Sequence, residues 1–282
     1  MSGNGNHPEI KVSEARKRVP GSGPILILAG LFIAATFLAW YFSWFGRELS
    51  DADISKYLAD EKNPRHVQHA LVQIQHRMER GDGSAKHWYS QLVRLSGNPE
   101  TEFRLTVAWL MGFDNNSPEF HNALLKLLQD QEPIVRRNAA LALVRFNDNS
   151  GREELVAVLK PYVVKAPVDG VLLSSMNEGT TIARQAILAR IQQSDGNLAG
   201  LRSPLPGRVN KIFKPNGSPV TRDEDLISLN SDEQSIWEAL RGLALVGTKD
   251  DLELVKSYAN SNDASTRVKE QANLTAQGIE RR

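Results

Sequence analysis

The chain has 282 residues, of which 41% are hydrophobic and 24% are charged, as in ordinary globular proteins of one large or two average domains. Its formal net charge is only +1, which argues against nucleic acid as a partner, because nucleic-acid-binding proteins concentrate positive charge against phosphates. The chain has no cysteine, which excludes disulfides, thiolate metal ligands and a cysteine nucleophile.

The first 45 residues predict a tail followed by a membrane anchor. Residues 1–23 are rich in Gly, Ser, Asn and charged residues without periodicity, which predicts a disordered cytoplasmic tail. Residues 24–45, PILILAGLFIAATFLAWYFSWF, carry no charge, and a helix of that length covers roughly 33 Å, enough for a bilayer core. The sequence therefore predicts a transmembrane helix that contacts lipid over residues 24–45.

Charge and side-chain size around this apolar run predict its orientation. Basic residues precede it and acidic residues follow it, so the positive-inside rule places the N-terminus in the cytoplasm. In a bacterium this predicts a single-pass inner-membrane protein whose bulk, from residue 46 onward, is periplasmic. A cleaved signal peptide is the alternative, but bulky aromatic residues fill the place of a small-x-small cleavage site.

Residues 46–161 and 231–282 predict pairs of short helices. Apolar residues recur at helical spacing in blocks that short turns separate. Prolines punctuate this pattern at Pro64, Pro99 and Pro133, which are 35 and 34 residues apart. A repeat of that length made of two helices is typical of an α-solenoid.

The segment from Pro133 to Leu143, PIVRRNAALAL, resembles the second helix of HEAT repeats, in which small alanines let helices approach and an arginine follows a valine. This resemblance implies a protein-binding scaffold without catalysis. Residues 151–162, GREELVAVLKPY, predict the first helix of a further pair, whose second helix comes only at residues 231–247. The intervening residues 162–230 are therefore predicted to be a module inserted within one repeat.

The inserted residues predict a small all-β module made of two similar halves. The sequence PVDG at 167–170 has a counterpart in PLPG at 204–207, and Gly179 has a counterpart in Gly217. Short apolar runs alternate with Asn-Glu-Gly and Asn-Gly turns, in which glycine supplies a positive φ. Two such half-motifs predict two interlocked halves of four strands each.

This pattern resembles the biotinyl/lipoyl domain, a barrel-sandwich hybrid fold. In the carriers of that family the modified lysine lies on the hairpin between the halves. Gly196 occupies the lysine position here, beside Asp195, and the nearest lysine beyond it is Lys211, in a predicted strand. Because no amide to biotin or lipoate can form without a primary amine, no cofactor is predicted.

Residues 166–171, APVDGV, also resemble the lipoyl-like half-motif of periplasmic adaptor, or membrane-fusion, proteins. Those proteins place a long coiled-coil hairpin between the halves and continue into a β-barrel domain. Here only a few turn residues separate the halves, and a helical repeat follows.

Candidate catalytic and metal-binding residues do not form a recognisable set. Five histidines follow the anchor, but no nearby carboxylate completes three or four ligands, so no metal site is predicted. They are His66, His69, His76, His87 and His121. The acidic run 223–225 is predicted to be a solvated turn. Ser174, Ser175 and Ser203 lack a histidine in a nucleophile-elbow context, so no catalytic residue is predicted.

Three tryptophans follow the anchor on apolar helix faces. Trp88, Trp109 and Trp237 are predicted to lie in the core of the repeats. An exposed tryptophan would instead be a candidate anchor for a partner protein.

These patterns together predict a mainly α protein with HEAT-like repeats, one inserted all-β module and one N-terminal transmembrane helix. We expect a non-catalytic protein-interaction scaffold or accessory subunit of an envelope membrane complex, with other subunits of that complex as its partners. The alternative is a divergent periplasmic adaptor protein of an export system. An enzyme that uses the histidines is a third class, which would require bound metal.

Overall fold

The computed structural model describes residues 22–44 and 48–282. Nearly all of the predicted tail, residues 1–23, lies outside these described residues, as does Phe45 at the end of the predicted anchor. Helix α1 (Ser22–Trp44) belongs to a first unit, which ends at Ser50. None of the helices in the described residues is both long enough and apolar enough to cross a membrane. The membrane span predicted over residues 24–45 therefore stays a prediction.

Five helix pairs make up most of the second unit, residues 51–282. In chain order they are α2 (Asp51–Ala59) with α3 (Pro64–Glu79), α4 (Tyr89–Leu95) with α5 (Thr101–Met111), α6 (Pro118–Leu127) with α7 (Pro133–Arg145), α8 (Arg152–Val158) with α9 (Glu233–Val246), and α10 (Leu252–Ala259) with α11 (Thr266–Glu280). Short 3-10 helices at Gly83–Trp88 and Lys249–Asp251 precede α4 and α10. The prediction of a solenoid-like helical repeat is confirmed.

Local sequence signals explain where these helices begin. Pro64 and Pro133 occupy the first turn of α3 and α7, where a missing backbone N–H is harmless. The Ser117 hydroxyl accepts a hydrogen bond from the Phe120 backbone N–H at 3.3 Å and so caps α6. Pro99 departs from this pattern, because it lies two residues before α5 begins at Thr101.

The second helices of successive pairs, α3, α5, α7, α9 and α11, pack side by side. Small residues such as Ala139 and Ala140 on α7 are fully buried where the helices meet. The guanidinium of Arg104 on α5 is buried and donates to both carboxylate oxygens of Asp130, at 2.6 and 3.0 Å. This bidentate pair ties pair two to the turn within pair three.

Eight strands lie between α8 and α9, and they form two four-stranded antiparallel sheets. The strands are β1 (Tyr162–Lys165), β2 (Gly170–Ser175), β3 (Thr181–Ile182), β4 (Ile187–Gln192), β5 (Leu198–Arg202), β6 (Gly207–Ile212), β7 (Pro219–Val220) and β8 (Asp225–Ser231). The sheet orders are β1-β8-β6-β3 and β5-β4-β2-β7, so each sheet takes two strands from each half of the module.

The prediction of a small all-β module between helices is confirmed in its coarser form, as two antiparallel sheets that share strands from both halves. The two sheets stay separate and do not close into a barrel, and each has a two-residue strand, β3 or β7, at one edge. Apolar side chains from both sheets, including Leu172, Ile191 and Leu226, fill the space between them. The module is thus an antiparallel two-sheet structure with its own core.

The two ends of this β module meet in space. Strand β1 pairs with β8, with Tyr162 opposite Leu229, so the chain leaves α8 and returns to α9 through neighbouring strands. Helices α8 and α9 share one apolar core, in which Leu155 and Leu240 are fully buried. They pack as a pair although the whole β module separates them along the chain.

Candidate interaction surface

Four of the second helices carry exposed or partly exposed aromatic, aliphatic and cationic side chains, which we call the second-helix surface. It consists of Trp109 on α5, Leu141 and Arg145 on α7, Trp237, Arg241 and Leu245 on α9, and Arg267 and Leu274 on α11. On α9 these residues recur every four positions, which places them on one helix face. The surface therefore follows directly from the side-by-side packing of the second helices.

A shallow cleft of about 180 Å³ crosses the middle of this surface. Trp109, Leu141 and Arg145 line one wall, and Arg241 and Leu245 line the other. The side chain of Leu245 is 62% exposed, which is high for a large aliphatic residue. The cleft thus offers an apolar floor between two guanidinium groups.

Each tryptophan of the surface stacks with arginine. The guanidinium carbon of Arg145 lies 5.2 Å from the ring centroid of Trp109. Arg241 and Arg267 lie 4.7 and 3.9 Å from the ring centroid of Trp237. Such cation–π contacts hold the long arginine side chains in place against the rings.

The electrostatics of this surface are those of uncompensated cations. Within residues 48–282, none of Arg145, Arg241 and Arg267 forms an ion pair. Glu238 also lines the cleft and accepts a hydrogen bond from the Gln234 amide at 2.6 Å, so one carboxylate lies beside the guanidinium groups of Arg145 and Arg241. The surface therefore has an excess of positive charge.

The three tryptophans that follow the predicted anchor differ in how deeply they are buried. Trp88 is only 1% exposed, so its place in the repeat core is confirmed. Trp109 and Trp237 are only partly buried, so for them the prediction of a core position holds in part. One part of the Trp237 ring packs on the core of pairs four and five, and the other part lies against Arg241 and Arg267. The arginine four residues after Trp237 was the available sequence signal for a ring at the surface.

The histidines lie apart in the structure. His66 Nδ1 is 2.7 Å from Asp60 and its ring stacks on Tyr57, whereas His121 Nε2 is 2.6 Å from Asp148 at another pair. Burial raises the pKa of Asp148, but hydrogen bonds from Ser150 and His121 outweigh it and leave that pKa lowered. In the described residues, no three or more histidine or acidic side chains converge as metal ligands would.

The acidic run and the serines also have local roles. Glu224 pairs with Lys214 at 2.5 Å and Asp225 with Lys165 at 3.3 Å, so these two carboxylates point to separate partners. The buried Ser203 hydroxyl donates to the Leu205 carbonyl oxygen at 2.5 Å. These contacts give Glu224, Asp225 and Ser203 structural roles in local turns.

Gly196 lies on the tight turn between β4 and β5. Its φ is +84°, and its N–H donates to the Gln193 carbonyl at 3.0 Å, which closes the hairpin. A Cβ added at Gly196 would meet no described atom within 4 Å, so the hairpin tip is open. Lys211 lies on β6, with its ammonium 5.7 Å from the ring centroid of Phe213. The absence of a carried cofactor stays a prediction.

Comparison with known proteins gives one family match. The HEAT-repeat family model matches residues 89–175, and no curated protein matches the chain. Among solved structures, a single-chain, multi-domain long-chain acyl-CoA carboxylase is 16% identical, with a TM-score of 0.25; the match covers 42% of this chain and 12% of the carboxylase chain. We draw nothing from a likeness that slight. The chain is thus similar to HEAT repeats over residues 89–175, and HEAT repeats suggest a protein-interaction scaffold.

Proposed function

We propose that the protein is a membrane-anchored, non-catalytic scaffold or accessory subunit of an envelope membrane complex, and that it holds a partner subunit on the second-helix surface. The observation that carries this proposal is the exposed row of stacked tryptophan and arginine side chains beside Leu245. Tryptophan and arginine are enriched among the residues that dominate binding energy at protein interfaces. A rigid helical repeat also presents such residues without ordering a loop, which keeps the entropy cost of binding low.

The anchor is supported by the side chains of α1 and by the sequence. Large apolar residues of α1 are between 49% and 72% exposed: Leu26, Ile27, Leu28, Leu31, Phe32, Ile33, Phe37 and Leu38. So much contiguous apolar surface is rare on a soluble protein and suits a membrane or a partner. With the basic tail on the cytoplasmic side, the second unit would work in the bacterial periplasm.

In this proposal the β module is a second rigid contact site beside the helical surface. An ion pair between Arg184 of the module and Glu102 on α5 links the two parts. The pairing of β1 with β8 fixes both ends of the module at α8 and α9. A partner subunit could therefore contact the helices and the module together.

A photo-crosslinking experiment in the native membrane tests the proposal. A benzophenone amino acid replaces Leu245 in the full-length protein, and a matched variant carries it at Asn122, which is exposed on the first helix α6. After mild-detergent purification, we expect one defined membrane-complex subunit crosslinked at position 245 and little at position 122. Equal crosslinking at both positions, or recovery of the protein alone, would contradict the proposal.

A further inference from the structure

Six arginines in the helical repeats of the second unit form two contrasting groups. Arg104, Arg136 and Arg152 each pair with a carboxylate of this chain, with shortest distances of 2.6 Å. These pairs hold successive helix pairs together. Arg145, Arg241 and Arg267, all on the second-helix surface, form no ion pair within the described part of the second unit. The second group therefore keeps guanidinium charges that no carboxylate of the described residues neutralises.

All three arginines lie against a tryptophan ring, and two of them also donate a hydrogen bond within the chain. Arg145 donates to the Gly112 carbonyl at 3.3 Å while it lies near Trp109, and Arg267 donates to the Gln234 amide oxygen at 3.0 Å while it lies over Trp237. A guanidinium stacked on a ring keeps N–H groups in its own plane, where they can donate to a carboxylate in a bidentate manner. The surface therefore presents preorganised sites for carboxylates.

The apolar part of the surface lies between these cations. Leu141 and Leu245 line the cleft between Arg145 and Arg241, and its volume of about 180 Å³ suits one or two leucine-sized side chains. Glu238, on the wall of the same cleft, would repel a carboxylate placed at its centre. The recognised segment should therefore be apolar in the middle and acidic on its flanks.

We propose that the second-helix surface binds an acidic amphipathic helix of a partner subunit, with leucine-type side chains in the cleft and flanking carboxylates on Arg145, Arg241 and Arg267. This inference rests on the proposed scaffold function and names the chemistry of its partner. An amphipathic helix in a groove uses apolar residues at spacings of three and four, which matches a cleft between parallel ridges of second helices. An anionic bilayer would be drawn to the same charges, but a flat membrane cannot fill a cleft walled by helices.

The test uses the full-length protein with the benzophenone side chain at position 245 in its native membrane. The crosslinked peptide is sequenced, and its net charge and apolar spacing are read directly. We then compare the triple variant R145E/R241E/R267E, the neutral triple variant with glutamine at the same positions, and the control K126E, which reverses a charge at an exposed position on the first helix α6. Circular dichroism verifies that all variants keep their helix content and thermal midpoint.

We expect an acidic crosslinked segment with apolar residues at helical spacing. Charge reversal at the three arginines should lower the crosslink yield about tenfold, since each exposed pair contributes a few tenths to one kcal/mol. The neutral variant should lower the yield less, and K126E should leave it unchanged. Lysine substitutions at the crosslinked acidic positions of the partner should restore binding to the charge-reversed variant.

Other outcomes would overturn the inference. A neutral or basic crosslinked segment, a lipid adduct, a second copy of this chain, or full yield from the charge-reversed variant would each do so. If a subunit still crosslinks at position 245 and only Trp237→Ala abolishes it, the scaffold proposal stands and the acidic partner does not. If nothing crosslinks at position 245, both proposals fail.

Discussion

Helix pairs three and four are built alike but are connected very differently. Residues 128–132 join α6 to α7, whereas residues 159–232, including the whole β module, join α8 to α9. In both pairs the first helix buries a leucine completely, Leu124 in α6 and Leu155 in α8. The helix–helix interface therefore specifies the pair, whatever the length of the connection. A long connection is tolerated where its ends come together, as they do at strands β1 and β8.

Core truncation should break both pairs to a similar extent. Leu155→Ala removes a side chain that packs between α8 and α9, and we expect it to lower the free energy of unfolding by about 3 kcal/mol. Leu124→Ala in the uninterrupted pair is the matched control, with an expected loss of similar size. Urea denaturation of the full-length protein in detergent, followed by circular dichroism at a helix wavelength, measures both.

A much smaller loss for Leu155→Ala than for Leu124→Ala would contradict the comparison. It would mean that the interrupted pair contributes little to the cooperative unit. The β module would then separate two independently folding helical parts.

The ion pairs at successive junctions allow a second comparison. Arg104 and Asp130 are both less than 10% exposed, whereas Arg136 and Glu154, which pair at 2.6 Å, are each 24% exposed. Removing one partner of the more buried pair leaves the other charge unpaired and shielded from water. We expect Arg104→Ala to lower the free energy of unfolding by about 2 kcal/mol and Arg136→Ala by less than about 1 kcal/mol.

The pH dependence of the Arg104→Ala effect checks its origin. Burial raises the pKa of Asp130, but hydrogen bonds from Arg104 and the Glu132 backbone, with the charge of Arg104, leave it below its ordinary value. A carboxylate with a lowered folded pKa contributes stability above its unfolded pKa of about 4 and loses it as pH falls through the folded value. The difference between wild type and variant should therefore shrink below about pH 4. A constant difference would point to lost packing alone.

Local patterns in the sequence predict the repeat and the module well. Pro64 and Pro133 predict the start of second helices, because proline is well tolerated in the first turn of a helix. Gly179 and Gly217 mark equivalent turns of the two β halves, and both have a positive φ, near +80° and +87°. These features depend on a few neighbouring residues, so the sequence alone reveals them.

The candidate surface and the open sheets depend on distant residues. Trp237 is at the surface with Arg267 over it, and these residues meet only because α9 packs against α11. The position of Arg241 four residues after Trp237 indicates a ring at the surface, but the contact with Arg267 cannot be inferred without the packing of α9 on α11. Similarly, apolar alternation predicts strands but not the order in which they pair, which puts β3 and β7 at sheet edges. Both features are set by tertiary packing.

A buried arginine where the module joins the solenoid contrasts with the paired Arg104. Arg137 on α7 is 6% exposed, and its Nη1 has no hydrogen-bond partner among the described atoms. Burial lowers its pKa, while Glu154 and Asp232 nearby act in the opposite direction. We expect Arg137→Met to raise the free energy of unfolding by about 1 kcal/mol, because an apolar side chain of similar length removes a poorly solvated charge.

Thermal and urea denaturation of Arg137→Met against wild type measure this effect. Arg137→Ala serves as the control for lost volume and should be destabilising. A clear loss of stability in Arg137→Met would show instead that the charge of Arg137 holds Glu154 and Asp232 in place at the point where the module joins the solenoid.

Excision of the β module should have the smallest effect on the helices. A variant in which a five-residue Gly-Ser linker replaces residues 162–231 should keep a free energy of unfolding within about 1 kcal/mol of wild type for its helical transition. Tyr162 and Leu229 face each other on adjacent strands about 5 Å apart, so a short linker can bridge the gap. The lost ion pair between Arg184 and Glu102 is partly exposed and contributes little to stability.

The same linker in place of residues 128–132 is the control for the flexibility of the linker itself. Loss of the cooperative helical transition in the excision variant alone would mean that α8 and α9 need the module to pair, and the two connections would then differ in function as well as in length.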